Sequence, residues 1–348
     1  MMQNVCSAHM AADGPPVMGR PRIAVLLTGG TIVCAYERES GLCRPTYRVE
    51  DLLAQVPELE GGFTLLPETL FNIPGTQLTL AHGLEIVRAL ERCQSDPDVD
   101  GAVVIQGTDT LDEIAYLAGL LVKGRKPVVF TGAMKSFHEH YQDAAGNLAG
   151  AIRAAADPHA RGVMVYMNQL LFDPADVEKV HSNRVDAFQS FRGPIGSVEN
   201  GRVLFWRRPA SSPRYQASRL VENIPIIKCY AGMDGLLVDA SLAAGCPGIV
   251  MEGLGSGNVQ PCVVPALRRA LDRHIPVVAA TRCFSGATFG AFDYEGGGAN
   301  LQKMGVIFLS GLSSQKARIK LSVLLSAGVP EEEIALHFNP SYPQYENE

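Results

Sequence analysis

The sequence lacks the features that would indicate a membrane protein, a nucleic-acid-binding protein or a disulfide-rich protein. No apolar run reaches the roughly 18 residues of a membrane-spanning helix, and the start of the chain lacks the apolar core of a signal peptide. A net charge of −6 gives no basic surface for nucleic acid. The eight cysteines form no C-x-x-C pair, which is typical of reduced thiols in a cytoplasmic protein. We therefore expect neither a membrane nor a nucleic acid as a partner.

Metal-binding and phosphate-binding motifs are also missing. The nearest approach to a metal site is His138-Glu139-His140, for which a surface loop is the expected structure. The glycine-rich turn Thr28–Ile32 contains neither G-x-G-x-x-G nor G-K-[ST]. We therefore expect no metal and no cofactor. A disulfide between Cys34 and Cys43 would form only in an exported protein.

The residues that are present indicate a two-domain α/β protein. The chain has 348 residues, of which 47% are hydrophobic and 19% charged, as in a globular protein with a large core. Short apolar runs alternate with amphipathic helices, an order that indicates a parallel sheet flanked by helices. The predicted strands are 23–27, 101–105, 126–132 and 162–167, and the predicted helices are 49–56, 80–90, 111–121 and 147–156.

The composition also predicts where the domains begin and end. We expect a flexible tail over residues 1–20, an N-terminal domain over 21–206, a linker over 207–222 and a smaller parallel α/β domain over 223–348. Within these, 63–73 is predicted to be a strand pair or bent strand, and 172–206 to contain a hairpin. In the second domain, a helix is expected from Ser241, and the last helix over 315–327, capped by Ser313 or Ser314 and stopped by Gly328 and Pro330.

The stretch Gly101–Leu121 predicts a buried strand, a sharp turn and a helix. Thr108 and Asp109 lie in that turn, at the carboxyl end of a strand, where open α/β sheets bind ligands. Thr110 and Glu113 have the spacing of a capping box. The alternative is that the Thr-Asp-Thr sequence only caps the helix.

A second turn with a hydroxyl group follows the first predicted strand. Gly29 and Gly30 allow the backbone to approach a ligand closely and expose the hydroxyl of Thr31. The alternative is a tight turn in which Thr31 is a cap. The polar segment 33–48 that follows is long for a loop, and loops of that length are often lids or binding segments.

These motifs resemble those of the bacterial-type L-asparaginase/glutaminase family. The likeness covers roughly residues 21 to 335, and the motifs that carry it are Thr28-Gly-Gly-Thr31-Ile32, Gly107-Thr108-Asp109-Thr110, 126–134 with 143–148, 176–180, 184–188, 255–258, 285–288 and 314–318. The resemblance implies a large N-terminal domain with a mostly parallel sheet and a smaller parallel α/β domain. It also implies a homotetramer, built as a dimer of intimate dimers with sites shared between subunits. The implied reaction is cofactor-free hydrolysis of an amino-acid amide.

The resemblance further implies the roles of individual residues. Thr31 matches the nucleophile that forms an acyl-enzyme, while Thr108, Asp109 and Lys179 match a second catalytic constellation. Asp109 is also the implied partner of the substrate's ammonium group. The family's activating tyrosine lies in the loop after the first threonine motif, where Tyr36 is favoured over Tyr47.

The implied substrate-binding residues include departures from the family pattern. Gly75, Thr76 and Gln77 fall where the family binds the substrate carboxylate, although a serine is common there. Glu295 lies where the resemblance implies that a neighbouring subunit reaches into the site, and its alternative is an exposed loop carboxylate. Gln106 stands where family members often have histidine. These departures affect the choice of substrate more than the type of reaction.

The proposed chemistry requires residues of these types. An amide carbonyl is a poor electrophile, so a hydroxyl must be activated by a base and the oxyanion held by donors. A lysine acts as a base only where burial or a nearby cation disfavours its ammonium form. Because a carboxylate favours that form, Asp109 is better suited to orientation and substrate binding.

Three functions therefore remain open from the sequence. The first is hydrolysis of L-asparagine, with L-glutamine as a possible second substrate, since one methylene changes binding by only about 1–3 kcal/mol. The second is hydrolysis of another amide, such as D-asparagine, by the same fold. The third is a non-catalytic protein that binds an amino acid between its domains, although a binder needs neither a nucleophile nor a lysine.

Overall fold

The protein is described by a computed structural model. The structure describes residues 19–37, 40, 42–209, 213–309 and 311–338. Most of the predicted N-terminal tail, and the last ten residues of the chain, lie outside these ranges. None of the described helices is long and apolar enough to cross a membrane.

The larger unit is built on an eight-stranded sheet with the strand order β12-β11-β8-β7-β6-β5-β1-β4. Strands β4, β1, β5, β6 and β7 run parallel, and antiparallel β8, β11 and β12 extend one edge. In chain order the strands are β1 (Arg22–Leu27), β2 (Cys34–Tyr36), β3 (Cys43–Pro45), β4 (Thr64–Thr69), β5 (Gly101–Ile105), β6 (Val128–Thr131), β7 (Val163–Met167), β8 (Leu170–Phe172), β9 (Val177–Lys179), β10 (Phe188–Ser190), β11 (Gly196–Glu199) and β12 (Arg202–Phe205).

Helices cover both faces of this sheet, which explains why its strands are apolar throughout. Alternate residues point to opposite faces, so that Leu26 and Val104 pack in one core cluster while Val25 and Val103 pack in the other. One face is covered by α2 and α3, and the other by α1 and α4. The helices of this unit are α1 (Val49–Leu53), α2 (Leu80–Ser95), α3 (Leu111–Leu121) and α4 (Ala144–Ala156).

The smaller unit contains a parallel four-stranded sheet of order β13-β14-β15-β16. Helix α8 contacts this sheet and also α3 of the larger unit, so it joins the two units. This architecture confirms the predicted fold class. The elements are β13 (Ile226–Lys228), α5 (Leu236–Ala243), β14 (Ile249–Gly253), α6 (Val264–Leu271), β15 (Val277–Thr281), α7 (Gly298–Met304), β16 (Ile307–Phe308), α8 (Ser314–Ser326) and α9 (Glu331–Phe338).

Several local predictions were wrong. The segment 63–73 contains one strand, β4 (Thr64–Thr69), at the edge of the sheet beside β1, so the strand-pair alternative was wrong. The helix expected from Ser241 begins earlier, at Leu236. Helix α8 ends before Gly328 and Pro330 as predicted, but it is not the last helix, because α9 follows Pro330. The first turn of α9 is acidic and its last turn contains His337, the charge order that favours a helix.

The predicted helix caps were also wrong in their hydrogen bonding. Neither Thr110 before α3 nor Ser313 before α8 caps its helix with a side-chain hydrogen bond. The Thr110 hydroxyl instead donates to the carbonyl of Gly75 at 3.1 Å, and so ties two loops together. The tertiary contact therefore replaces the local one that the capping-box spacing predicted.

The backbone register of the β2–β3 hairpin places the two cysteines considered as a pair opposite other residues. In the β2–β3 hairpin, Cys34 lies opposite Pro45, and Cys43 lies opposite Tyr36. The Cys34 thiol donates to the carbonyl of Gly30 at 3.5 Å. The thiols outside any disulfide include those of Cys93, Cys229, Cys246, Cys262 and Cys283.

Candidate active site

Three glycine-containing loops meet at the carboxyl ends of β1 and β5. Gly30 has φ +98°, and a Cβ added to it would lie 2.3 Å from Cα of Gly107. A Cβ on Gly107 would in turn lie 2.7 Å from the backbone nitrogen of Gly75. Side chains at these positions would separate the loops, so glycine is required for their close approach. The contact brings the two threonine motifs together.

Thr31 and Thr108 line the same cavity. Thr31 begins a short 3₁₀ helix, Thr31–Val33, directly after the glycine turn. Thr108 lies in the turn between β5 and α3, and its side chain is buried. The cavity has a volume of about 410 Å³, which suits a small molecule. It is lined by Gly30, Thr31, Cys34, Pro45, Pro74, Gly75, Gly107, Thr108, Asp109, Met134, Lys135, Glu139, Lys179, Ser182 and Asn183.

Lys179 connects the hydroxyl of Thr108 to the carboxylate of Asp109. Its Nζ donates to Oγ1 of Thr108 at 2.9 Å and to Oδ1 of Asp109 at 2.7 Å. The Lys179 side chain is 15% exposed, whereas that of Asp109 is 55% exposed. The lysine is therefore enclosed, and Asp109 keeps a solvent-facing surface that a bound molecule can contact.

Strand β9 delivers Lys179 to this position from a distant part of the chain. Lys179 pairs with Phe188 of β10, and its backbone N–H donates to Oδ2 of Asp112 at 3.3 Å. Asp112 lies in the first turn of α3. Burial raises the pKa of the Asp112 carboxyl, and the nearby Lys316 opposes that effect. The segment that carries the lysine is thus anchored to the helix that follows Thr108 and Asp109.

A second loop of the cavity is held by Asp143, which lies in one of the family motifs but had no predicted role. Its carboxylate accepts the backbone N–H of Met134 at 3.1 Å and that of Lys135 at 2.8 Å. Burial raises the pKa of the Asp143 carboxyl, while these backbone donors lower it. Lys135 Nζ donates to Oδ1 of Asn183 at 2.7 Å. Lys135 and Asn183 are site residues that no sequence pattern indicated.

The predicted substrate-binding residues do not all reach the cavity in a single chain. Gly75 is buried and lines it, whereas Thr76 and Gln77 are exposed and do not belong to its lining. Glu295 is exposed on the smaller unit and also lies outside that lining. The roles of these residues stay predictions.

The two tyrosines of the loop after Thr31 have different surroundings. Tyr36 belongs to β2, but its side chain lies outside the described part of the structure. The Tyr47 hydroxyl contacts Nε2 of His138, and the two rings pack with their centroids 5.4 Å apart. This contact gives Tyr47 a packing role and leaves the choice of activating tyrosine a prediction.

No cluster of metal-ligating side chains is found among the described residues. In the His138-Glu139-His140 segment, Glu139 accepts the backbone N–H of Ser136 at 2.8 Å and pairs with Lys135 at 3.6 Å. His138 contacts Tyr47, as described above. Glu139 thus makes contacts within its own loop, and His138 joins that loop to Tyr47.

Comparison with known proteins shows the family to which the chain belongs. The family model for the asparaginase N-terminal domain matches residues 22–211, and the model for the glutaminase/asparaginase C-terminal domain matches residues 223–338. The chain belongs to the asparaginase family. The two models together span both sheets and the cavity residues, from the Thr31 turn to helix α8.

Individual relatives of the asparaginase family cover most of the chain. It is 33% identical to the L-asparaginase of Bacillus licheniformis, over 88% of this chain and 96% of the relative. It is 30% identical to a glutamyl-tRNA(Gln) amidotransferase subunit of Pyrococcus furiosus, over 91% of this chain and 75% of the relative. The solved structure of a probable cytoplasmic L-asparaginase from Campylobacter jejuni superposes with a TM-score of 0.82 at 28% identity, covering 91% and 99% of the two chains.

One departure from the usual family pattern is visible in the core of the site. Gln106, which precedes the Gly-Thr-Asp-Thr turn, is fully buried. Its Nε2 lies 3.4 Å from Oγ1 of Thr110, and its Oε1 has no hydrogen-bond partner among the described residues. The Gln106 side chain thus packs beneath the surface against the turn that carries Thr110, and it does not belong to the cavity lining.

Proposed function

We propose that the chain hydrolyses the side-chain amide of L-asparagine, giving L-aspartate and ammonia through a threonine acyl-enzyme. The observation that carries the proposal is that Thr31 and the hydrogen-bonded chain Thr108–Lys179–Asp109 line one small cavity. A hydroxyl, a lysine and a carboxylate are the groups that acyl transfer from an amide requires. Membership of the asparaginase family supports the same reaction.

In the proposed first step, the Thr31 oxygen attacks the amide carbon of the substrate. The carbon–nitrogen bond breaks, and the hydroxyl proton passes to the nitrogen, which leaves as ammonia. Water then attacks the resulting ester, which releases aspartate and restores the Thr31 hydroxyl. The side chains near Thr108 move the protons that these two steps require.

We assign the proton transfer to Lys179 and Thr108, because their 2.9 Å contact is a direct path between an amine and a hydroxyl. Asp109 orients the lysine through Oδ1. Its exposed surface is free to bind the substrate's α-ammonium group. In this assignment Asp109 binds both the Lys179 ammonium and the substrate. We further assign to Tyr36, in the segment after Thr31, the role of assisting the Thr31 hydroxyl.

The substrate carboxylate requires donors, and we assign it to the loop around Gly75, Thr76 and Gln77. Exposure of Thr76 and Gln77 in the single chain fits a site that a neighbouring subunit completes. We propose that Glu295 of that neighbour contributes to the ammonium site, within a homotetramer built as a dimer of dimers. The proposed domain boundaries are 21–206 and 223–348, with a linker over 207–222, in whose described part no helix or strand occurs.

We also propose a cytoplasmic location for the protein. The exposed thiols of Cys262 and Cys283 suit a reducing compartment. The similar structure from Campylobacter jejuni is that of a probable cytoplasmic L-asparaginase, which agrees with this proposal.

A second candidate function is hydrolysis of a different amide, such as L-glutamine or D-asparagine. Gly75 lines the cavity at a place where the family commonly has serine, so the donors for the substrate carboxylate differ. The similarity to an amidotransferase also favours a broader range of amides for this fold. The reaction type is the same in both candidates, and only the substrate differs.

The test is ammonia release from the purified protein with L-asparagine, L-glutamine and D-asparagine over a wide concentration range. We expect L-asparagine to give the highest kcat/KM. Thr31→Ala should abolish release while the circular dichroism spectrum is retained, and Thr69→Ala, at the exposed end of β4, is the matched control. Retained activity in Thr31→Ala would overturn the nucleophile assignment, and a better rate with another amide would establish the second candidate.

A further inference from the structure

A second cavity lies at the amino ends of the parallel strands of the large sheet, whereas Thr31 lies at their carboxyl ends. It is bordered by Arg125, which precedes β6, and by Gly162, which precedes β7. These are the amino ends of parallel strands, whereas Thr31 and Thr108 follow the carboxyl ends of β1 and β5. The cavity has a volume of about 640 Å³. Its position separates it from the candidate active site.

This cavity is strongly basic, although the chain as a whole carries a net charge of −6. Asp173 is the acidic residue of its lining, and the Oδ1 of that residue accepts the backbone N–H of Ala175 at 2.9 Å. The cationic lining consists of the arginines Arg125, Arg161, Arg207, Arg208 and Arg214, and His159 lines the same cavity. Such an excess of guanidinium groups favours a bound anion.

Two of these arginines are held by the protein itself. Nη1 of Arg161 donates to the carbonyl of Pro158 at 2.7 Å, and Nη2 of Arg207 donates to that of Gly193 at 2.6 Å. Arg207 also lies 3.6 Å from the buried carboxylate of Asp176. These contacts fix the positions of two of the five guanidinium groups.

The remaining arginines have no such partners. Arg125, Arg208 and Arg214 are exposed, and no hydrogen bond or ion pair joins them to another residue that the structure describes. These exposed guanidinium groups are therefore open to an anion that enters the cavity.

We propose that this cavity binds an organic molecule that carries two or more phosphate groups. Guanidinium groups match pairs of phosphate oxygens, and several of them around one cavity suit more than one phosphate. The volume falls within the range of about 300–1,000 Å³ that holds cofactor-sized ligands. Phe205, Pro174 and Val163 supply an apolar wall for the organic part.

The test is isothermal calorimetry and thermal unfolding of the full chain with ATP, pyrophosphate, citrate and adenosine at matched ionic strength. We expect ATP to bind more tightly than 1 mM and to raise Tm, pyrophosphate to bind more weakly, and adenosine and citrate to give no response. In the double variant Arg125→Gln/Arg214→Gln, the Kd for ATP should rise at least tenfold. Arg273→Gln, an exposed arginine after α6, is the matched control and should bind as the unmodified protein does.

Several outcomes would overturn the proposal. Equal affinity for ATP in the double variant would show that ATP binds elsewhere on the protein. An equal Tm increase with sodium chloride alone would show that ionic strength, and not ATP binding, stabilises the protein. Citrate binding as tightly as ATP would contradict a phosphate ligand. If the double variant does not fold, Arg208→Gln provides the same comparison, and absence of ATP binding to the unmodified protein is decisive by itself. Ammonia release in these variants should be unchanged, so this test is independent of the proposed hydrolysis.

Discussion

Lys316 Nζ lies 3.2 Å from Oε1 of Glu178, the residue that precedes the Lys179 of the candidate site. The lysine belongs to α8 of the smaller unit, and its side chain is only 1% exposed. It also donates to the backbone carbonyl of Val177. The first two residues of β9 are thus attached to the smaller unit, which contributes to the position of the neighbouring Lys179.

Replacing this buried lysine should loosen β9. We expect Lys316→Met to lower the free energy of unfolding by about 3 kcal/mol, because it leaves Glu178 without its buried partner. We also expect kcat for ammonia release to fall about tenfold, since Lys179 loses its fixed position. Urea unfolding and steady-state kinetics measure the two effects.

The matched control is Lys303→Met, which breaks an exposed pair with Asp293. Exposed pairs contribute about 0–1 kcal/mol, so this variant should unfold nearly as the unmodified protein does. If Lys316→Met were as stable and as active as Lys303→Met, the contacts between α8 and β9 would contribute nothing measurable to stability or to catalysis.

The hydroxyl of Thr108 is the next group to test. Thr108→Val keeps the volume of the side chain but removes the acceptor of the Lys179 ammonium. If the pair transfers protons, kcat should fall by about 10²–10⁴ with little change in Tm. Kinetics and differential scanning calorimetry give both values, and Thr69→Val is the control for the substitution itself. A kcat within a factor of three of the control would remove Thr108 from the mechanism.

The local parts of the site were predictable because their signals lie within short stretches of sequence. Gly101–Leu121 contains a strand, a turn and a helix in succession, and the structure has them at the predicted places. Lys179 is about seventy residues away from Thr108 and reaches it only through tertiary packing. Its place in the site therefore came from family resemblance, since no local pattern indicated it.

Sequence patterns also could not predict the contacts between loops, because these contacts join residues that are far apart in the chain. Thr110 and Glu113 have capping-box spacing, yet the Thr110 hydroxyl binds Gly75, 35 residues earlier in the chain. Lys135 and Asn183 meet across a separation of 48 residues. Asp143 stood in a recognised motif, and its hydrogen bonds to the backbone of residues 134 and 135 became visible only in three dimensions.

The meeting of the glycine loops makes a prediction about Gly30. Gly30→Ala would place a Cβ 2.3 Å from Cα of Gly107 and would also force alanine to φ +98°. We expect a loss of about 3 kcal/mol or more in the free energy of unfolding, together with loss of activity, because the Thr31 turn must move. Gly146→Ala is the control. It lies on an exposed face of α4 with open space around it, and should stabilise the protein by about 0.5–1 kcal/mol. A Gly30→Ala variant as stable as this control would contradict the close contact of the loops.

The carboxyl of Glu113, in the first turn of α3, makes a prediction about pH. Burial raises its pKa above the ordinary value of 4.5, the neighbouring Asp112 raises it further, and Arg318 opposes both. The folded protein therefore keeps a proton that the unfolded chain releases above about pH 4.5. It follows that the contribution of Glu113 to stability is greatest in acid and is lost as the pH rises through the folded-state pKa.

Glu113→Gln resembles the protonated form at every pH, so it should remove this loss. We expect the variant to be more stable than the unmodified protein at pH 7.5, by an amount of order 1 kcal/mol, and equally stable at pH 4. Urea unfolding at the two pH values measures the difference, with Glu85→Gln on the exposed face of α2 as the matched control. A gain of the same size at both pH values would mean that the amide stabilises α3 for a reason other than the buried charge. A loss at pH 7.5 would mean that the attraction between Glu113 and Arg318 outweighs the cost of burial.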